Sequence, residues 1–234
     1  MTTVAAIGGG ASGTLVATNL LRCATRPLEV VVIEPRQSLG RGVAYSTTDP
    51  HHLLNVRAKQ MSAVVGDPDH FVRFCGCGRD DFAPRRLYAT YLERLLDEAR
   101  TSSRASLRHL VTRAARVVRS DGAWVITCAD GSTTRADVVV LATGNPAPTI
   151  PPWAEGLIGS PRFIADPWAP GALEGIGEET VVAIGTGLTF VDVAISVLDS
   201  SKARVIGVSR HGLMPTPHTH VEHPPPLPEL HTPR

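Results

Sequence analysis

Residues 3–13 read TVAAIGGGASG, an apolar run that stops at glycines and then resumes with helical spacing. Gly8, Gly10 and Gly13 stand at the G-x-G-x-x-G interval. That interval also occurs in ordinary turns. It specifies a dinucleotide-binding turn only with a strand before it, a helix after it and an acid about twenty positions on. The chain meets each condition. Residues 3–7 are β-rich, and Leu15, Val16, Leu20 and Leu21 fall at helical spacing within 14–23. Arg26-Pro27 closes that segment, and EVVVI at 29–33 is a continuous apolar strand ending at Glu34. Continuous apolar strands alternating with helices indicate a parallel sheet covered on both faces.

The arrangement recurs. TVVAI at 180–184 runs into Gly185-Thr186-Gly187, residues 188–198 suit a helix, and RVIGV at 204–208 is a second strand. Between the two units, 35–83 is loop-rich and 84–100 resumes helical spacing through Leu87, Tyr91, Leu95 and Leu96. A meander is expected next, with strands at 116–119 and 124–128 and hairpin turns at Asp121-Gly122 and Asp130-Gly131. DVVVLA at 137–142 is another buried strand. The proline-rich stretch 146–152 marks a boundary between a first domain, 1–148, and a partial second one, 149–214. Residues 215–234 hold seven prolines and four histidines and read as a flexible tail, with His218, His220 and His223 as solvated histidines and no metal site.

A hydrophobic fraction of 43% with 19% charged residues is ordinary for a globular protein able to bury a core. The formal net charge of +1 offers no electrostatic case for nucleic acid or a membrane surface. No apolar run reaches the roughly 18 residues of a membrane span, and the N-terminus lacks the basic region of a signal peptide. The four cysteines, Cys23, Cys75, Cys77 and Cys128, contain no C-x-x-C pair. Cys75-Gly76-Cys77 is the one close pair and reads as incidental thiols, which suits a reducing, cytoplasmic compartment.

The two glycine turns differ at their sugar ends. Glu34 can accept hydrogen bonds from ribose hydroxyls. The second unit carries Ser209-Arg210-His211 at the corresponding place, with no acid to repel a 2′-phosphate and an arginine able to bind one. Phe190 occupies the third glycine position of the second turn, where its bulk is expected to push the helix outward. Different sugar-end chemistry points to a bound FAD at the first turn and a visiting NADPH, in preference to NADH, at the second. The expected fold class is therefore α/β: a Rossmann-like three-layer FAD-binding domain with a β-meander, then a partial second Rossmann-like NAD(P)-binding domain.

The combination GGGASG (8–13), VVVIEPR (30–36), LGRGVAYST (39–47), LLNVRAKQMSA (53–63), GTGLT (185–189) and SRHGL (209–213) resembles the two-dinucleotide flavoproteins of FAD-dependent urate hydroxylase and aspartate N-monooxygenase type. The likeness runs from about residue 3 to residue 217. It implies FAD at Gly8, Gly10, Ser12, Gly13, Glu34 and Arg36, with Arg41 and Thr143-Gly144 nearby and Asn55, Gln60 and Met61 towards the flavin ring. It implies NADPH at Gly185, Gly187, Thr189 and Arg210. Ala11, Val117, Ala142, Thr186, Leu188 and Ser209 complete the expected cofactor-binding set. The activity implied is NADPH-dependent hydroxylation of nitrogen or carbon in a small-molecule substrate by molecular oxygen, by way of a flavin C4a-hydroperoxide. A flavin-linked NAD(P)H oxidase or reductase and a non-catalytic nucleotide-binding remnant are the alternatives.

Within 39–63, Arg57, Lys59 and Gln60 are the catalytic candidates. Arg57 or Lys59 either stabilises negative charge on a reduced flavin or an anionic substrate, or is a surface charge. His51 and His52 are adjacent and point apart, so at most one faces a site. A disulfide reductase needs a cysteine pair beside the flavin, and 35–63 holds none. Flavoproteins of this build return a late strand to the first domain. After Val208 no such strand is evident, so a short or truncated version is expected.

Overall fold

The structure is a computed structural model and describes residues 1–216. The histidines of the proline-rich tail lie outside the described residues. The chain forms two compact units, the first Met1–Glu174 and the second beginning at Gly175.

In the first unit, β1 (Thr2–Ile7) leads into α1 (Ala11–Cys23) and back into β2 (Leu28–Ile33), parallel to β1 from Thr2 opposite Leu28 to Ile7 opposite Ile33. Two further parallel strands, β3 (Ser106–Leu110) and β7 (Val138–Leu141), complete the order β3-β2-β1-β7. The alternation of side chains along β1 and β2 builds two cores at once. Ala6, Val30 and Val32 face Ala17 and Leu21 of α1 and Leu96 and Ala99 of α3 (Arg85–Ser102). Ala5, Ile7, Val31 and Ile33 face Ile126, Cys128 and Ala136 of an antiparallel meander, β4 (Ala114–Ser120), β5 (Ala123–Cys128) and β6 (Thr133–Ala136). Helices, parallel sheet and meander are the three layers, and cover on both faces is why EVVVI is apolar at every position after its glutamate.

A third core lies under the long connection after β2. Phe71 of the short helix α2 (His70–Cys75) packs with Tyr88, Tyr91 and Leu92 of α3 and with Leu54 and Ala58. The Tyr91 hydroxyl bonds the Ala63 amide at 3.2 Å and His70 Nδ1 at 2.9 Å, pinning loop to helix. Burial pushes the Tyr88 phenol up to about 12, with Tyr45 and Tyr91 adding to the shift.

The second unit holds β8 (Thr180–Ile184), α4 (Leu188–Ser200) and β9 (Arg204–Val208), with β8 and β9 parallel. No described helix is long and apolar enough to cross a membrane.

The expectation of separate thiols is corrected at Cys75 and Cys77, which are joined in a disulfide. Gly76 ends α2 in the left-handed region at φ 65° and turns the chain so that the two side chains meet.

Gly13 sets the contact between α1 and β1, since a Cβ there falls 1.9 Å from the Gly8 carbonyl oxygen. Gly13→Ala is expected to cost at least about 3 kcal/mol, a fall in Tm of roughly 6–12 °C for a chain of this size. Gly10→Ala, where a Cβ has room, should stay within about 1 kcal/mol. Thermal unfolding of the two variants checks the contrast.

Candidate functional site

The first glycine turn is assembled from four segments. Gly8 takes φ 103°, its N–H donates to the Ile33 carbonyl at 2.9 Å, and a Cβ would lie 2.2 Å from the Ala142 carbonyl oxygen. Gly9, which the G-x-G-x-x-G interval does not single out, is as constrained: a Cβ there meets Leu39 at 2.4 Å and Glu34 at 2.7 Å. Its N–H donates to Glu34 Oε2 at 2.9 Å, and its carbonyl accepts from Gly40 N–H at 2.8 Å and from the Thr14 hydroxyl at 3.1 Å. The signal for Gly9 is the uninterrupted GGG, one glycine more than the motif requires.

Glu34 is only 5% exposed. Its Oε1 accepts from the Arg36 N–H at 3.1 Å and from Arg36 Nη1 at 3.2 Å. With Gly9 on Oε2, the carboxylate orders the turn and still has acceptor capacity on Oε2. Gly10 is the N-cap of α1 and has no side chain with which to cap it, while Ser12 in the first turn is exposed. Unpaired N–H groups and the positive end of the helix dipole are therefore available to an anion.

Gly10 is the informative glycine. Its φ of −68° suits any residue, and the nearest atom to a Cβ is Gly42 Cα at 3.4 Å, an ordinary contact. Packing of the protein against itself explains Gly8, Gly9 and Gly13 and leaves Gly10 unexplained. The backbone at Gly10 is open to close approach from outside the protein.

The second turn repeats this geometry within its own unit. Gly185 takes φ 101° and donates to the Val208 carbonyl at 2.7 Å; Gly187 caps α4 at φ −79°, ψ −170°, close to the −68°, −168° of Gly10. A Cβ on Gly187 meets nothing within 4 Å. The Phe190 ring lies against the strand at Gly207. A Cβ on Gly207 would lie 2.8 Å from Phe190 Cζ, so the ring occupies the space that a side chain at Gly207 would fill. By strand register Gly207, opposite Ala183, corresponds to Val32, opposite Ala6. The strand position that is valine in the first unit is thus glycine in the second, where the Phe190 ring takes the space.

Thr186 is buried and its hydroxyl donates to the Leu213 carbonyl. With Gly187, Ser209, Arg210 and His211 it lines a cavity of about 380 Å³. Leu188 and Thr189, in the first turn of α4, are exposed.

The remaining candidates are more dispersed. Arg41 forms a two-point pair with Glu93 of α3, Nε to Oε1 at 2.7 Å and Nη2 to Oε2 at 3.4 Å. Val117 is packed against the core beneath the meander. Ala142 follows β7 with its N–H on the Ile7 carbonyl at 2.8 Å, and Gly144 takes φ 69°. Asn55 is exposed, and Gln60 accepts from the Arg57 N–H at 3.3 Å across the 3-10 turn Ala58–Gln60, which leads into Met61. Arg57 and Lys59 share Asp80, at 3.3 and 2.7 Å. His52 is buried between the Thr47 hydroxyl at 2.7 Å and Asp49 at 3.4 Å, while His51 is exposed.

A family profile described as FAD-NAD(P)-binding matches residues 5–146. The chain belongs to the FAD-NAD(P)-binding family. Among functionally curated proteins none matches. Similar solved structures include the flavin-containing monooxygenase from Stenotrophomonas maltophilia, 22% identical with a TM-score of 0.57 over 88% of this chain and 58% of that one. Tmm from Pelagibacter sp. strain HTCC7211 is 19% identical with a TM-score of 0.63 over 91% of this chain and 52% of that one. A cyclohexanone monooxygenase mutant from Rhodococcus sp. Phi1 bound to NADP+ is 22% identical with a TM-score of 0.62, over 88% and 38%. This member of the FAD-NAD(P)-binding family thus spans between 38% and 58% of the length of these three chains. At such identity the likeness establishes the fold, a Rossmann-like three-layer domain followed by a partial second one.

The approach of the Phe190 ring to Gly207 makes a coupled pair. Gly207→Val should destabilise the second unit by about 1–3 kcal/mol through overpacking. In the Phe190→Ala background the same change should cost at least about 1 kcal/mol less. A double-mutant cycle in urea, with amide exchange of α4 as the local probe, checks the coupling; additive effects would contradict it.

Proposed function

We propose that this chain binds FAD at its first glycine turn and NADPH at its second, and works as an NADPH-dependent flavin oxidoreductase of monooxygenase type. The reaction is hydroxylation of a nucleophilic nitrogen or carbon in a small-molecule substrate by molecular oxygen, as in FAD-dependent urate hydroxylase or aspartate N-monooxygenase. One observation carries the reading: Gly10 and Gly187, at equivalent places, have backbone angles open to any residue and room for a Cβ, and a ligand approaching the backbone accounts for both.

In this reading the N–H groups of Ala11, Ser12 and Gly13 receive the FAD pyrophosphate at the α1 N-terminus. The free acceptor capacity of Glu34 Oε2 takes a ribose hydroxyl, with Arg36 beside it. Asn55, Gln60 and Met61 turn towards the flavin ring, Val117 towards the adenine end, and Arg41, Ala142, Thr143 and Gly144 border the cofactor. When bound, the flavin supplies hydride acceptance and oxygen activation. The protein's part is orientation, charge and exclusion of water. Arg57 and Lys59, both paired with Asp80, stand beside Gln60 and Met61, where a cation suits negative charge developing on a ligand.

At the second turn, Gly185, Thr186, Gly187, Leu188 and Thr189 present α4 to the nicotinamide dinucleotide. Ser209 stands where the first unit has Glu34, so no carboxylate opposes a 2′-phosphate. Arg210 is exposed at the rim of the cavity and is the residue to bind it.

The purified chain should show the visible absorbance of flavin at close to one FAD per chain. Gly10→Val should keep the circular dichroism of the fold while weakening FAD binding at least about 100-fold, two powers of ten for about 2.7 kcal/mol. Undiminished flavin in that variant would overturn the assignment.

Arg210→Ala should raise KM for NADPH by roughly 10- to 100-fold, the range for losing a charged hydrogen-bonding partner, and leave NADH unaffected. Equal rates with NADH and NADPH in the unaltered protein would remove that role. Hydroxylated product formed with amino acids or urate supports the monooxygenase, whereas peroxide equal to NADPH consumed under every substrate points to an oxidase.

A further inference from the structure

The Cys75–Cys77 disulfide stands outside both nucleotide turns and has no part in the proposed reaction. Its Cα atoms are 5.3 Å apart, within the ordinary range for a bridge, and only Gly76 separates the two residues. Gly76 donates to the Val72 carbonyl at 3.0 Å as it ends α2, and the Cys77 N–H points back to Cys75 Sγ at 3.3 Å. A crosslink over so short a loop removes little freedom from the unlinked chain. Loop closure therefore adds little to favour the oxidised form, which leaves the bridge open to exchange with surrounding thiols. Both cysteines are half-buried and Gly76 is exposed, so a small thiol can reach the bridge.

The bridge also joins two mechanically different segments. On one side α2 is anchored by Phe71, fully buried among Tyr88, Tyr91 and Leu92. On the other, residues 78–81 form a strap along the 3-10 turn Ala58–Gln60. Gly78 N–H donates to Asp81 Oδ2 at 2.7 Å, and the Asp81 and Arg79 carbonyls accept from the Ala58 and Lys59 amides at 2.9 and 3.0 Å. Asp80 holds Lys59 and Arg57 from the same strap. The bridge at Cys77 and the Arg79–Asp69 ion pair at the N-cap of α2 are thus two ties of the strap to the buried helix, and only the first responds to thiols.

We propose that Cys75 and Cys77 are a thiol–disulfide exchange site for a small monothiol of the glutathione class, whose oxidation state sets how firmly the 78–81 strap holds the turn at 58–60. This inference does not depend on the flavin reading. A thiolate of the monothiol attacks Cys77 Sγ, the S–S bond breaks, and Cys75 leaves as a thiolate that its contact with the Cys77 N–H favours and that then takes a proton. A second thiolate attacks the monothiol's sulfur in the mixed disulfide, releasing the oxidised monothiol and Cys77. In sum the protein disulfide and two thiols give a protein dithiol and one small disulfide, with two electrons and two protons transferred.

The test equilibrates the full native chain with glutathione at a series of reduced-to-oxidised ratios, quenches with acid and alkylates. Trypsin cleaves after Arg73 and Arg79, so both cysteines fall in one peptide, 74–79. Cys23, exposed, serves as the labelled reference and Cys128, buried, as the protected one. The expected result is a two-electron transition of the 74–79 peptide within the glutathione range. Amide exchange at Ala58 and Lys59 should then be several-fold faster in the reduced chain. Cys75→Ser and Cys77→Ser should each show that faster exchange at every ratio. If a serine variant fails to fold, the comparison of oxidised and reduced unaltered protein decides the matter alone. A pair alkylated at every ratio, a pair oxidised at every ratio, or exchange at 58–59 indifferent to oxidation state would each overturn the proposal.

Discussion

The contact between Gly13 and the Gly8 carbonyl, too close for any side chain, is the constraint from which the first unit is built. It brings the start of α1 directly over the end of β1, and this forces the chain through the left-handed region at Gly8. The same close approach leaves the Ala142 carbonyl against Gly8, which registers β7 beside β1. Gly9 then places its N–H on a nearly buried carboxylate. A buried charge is costly unless hydrogen-bonded, and Glu34 has the Gly9 and Arg36 amides and the Arg36 guanidinium to offset that cost. Sheet order, turn conformation and the position of the acid are consequences of one backbone contact.

Much of this is legible because the residues involved have few alternatives. Glycines with no room for a Cβ, an acid at a strand end and apolar strands covered on both faces each leave a sequence signature. The hairpin at Asp121-Gly122 is equally direct, since both residues take positive φ and Ser120 pairs with Ala123 across them. β3 and β6 are not legible. SLRHL is an edge strand of the parallel sheet and TTRA an edge strand of the meander, and both carry polar residues, which an edge tolerates without requiring them: β7, at the opposite edge of the parallel sheet, is VVVL. Helix α2 is six residues long, too short for periodicity to show.

Pairings between distant residues are the other blind spot. Phe190 departs from the glycine pattern, and only the approach of its ring to the strand reveals Gly207 as its counterpart. Arg57 and Lys59 look like free cations until the strap brings Asp80, more than twenty residues on, between them. Cys75 and Cys77 look like separate thiols until the left-handed turn at Gly76 is known. In each case the missing information is a contact, which spacing along the chain does not encode.

The two glycine turns share backbone angles to within about ten degrees at the helix caps and yet carry opposite chemistry at their sugar ends. The first turn is held through its acid, whose Oε2 accepts from the Gly9 N–H at 2.9 Å. In the second, Thr186 takes the place of Gly9 and secures its loop through a hydroxyl bonded to the Leu213 carbonyl. The second turn thus carries a tie of its own, made by a side chain that the first turn lacks at Gly9. Ser209 stands in place of the acid, and a neighbouring arginine can face the ligand without a competing carboxylate. The preference proposed for a phosphorylated ribose at the second turn is compatible with how that turn is held.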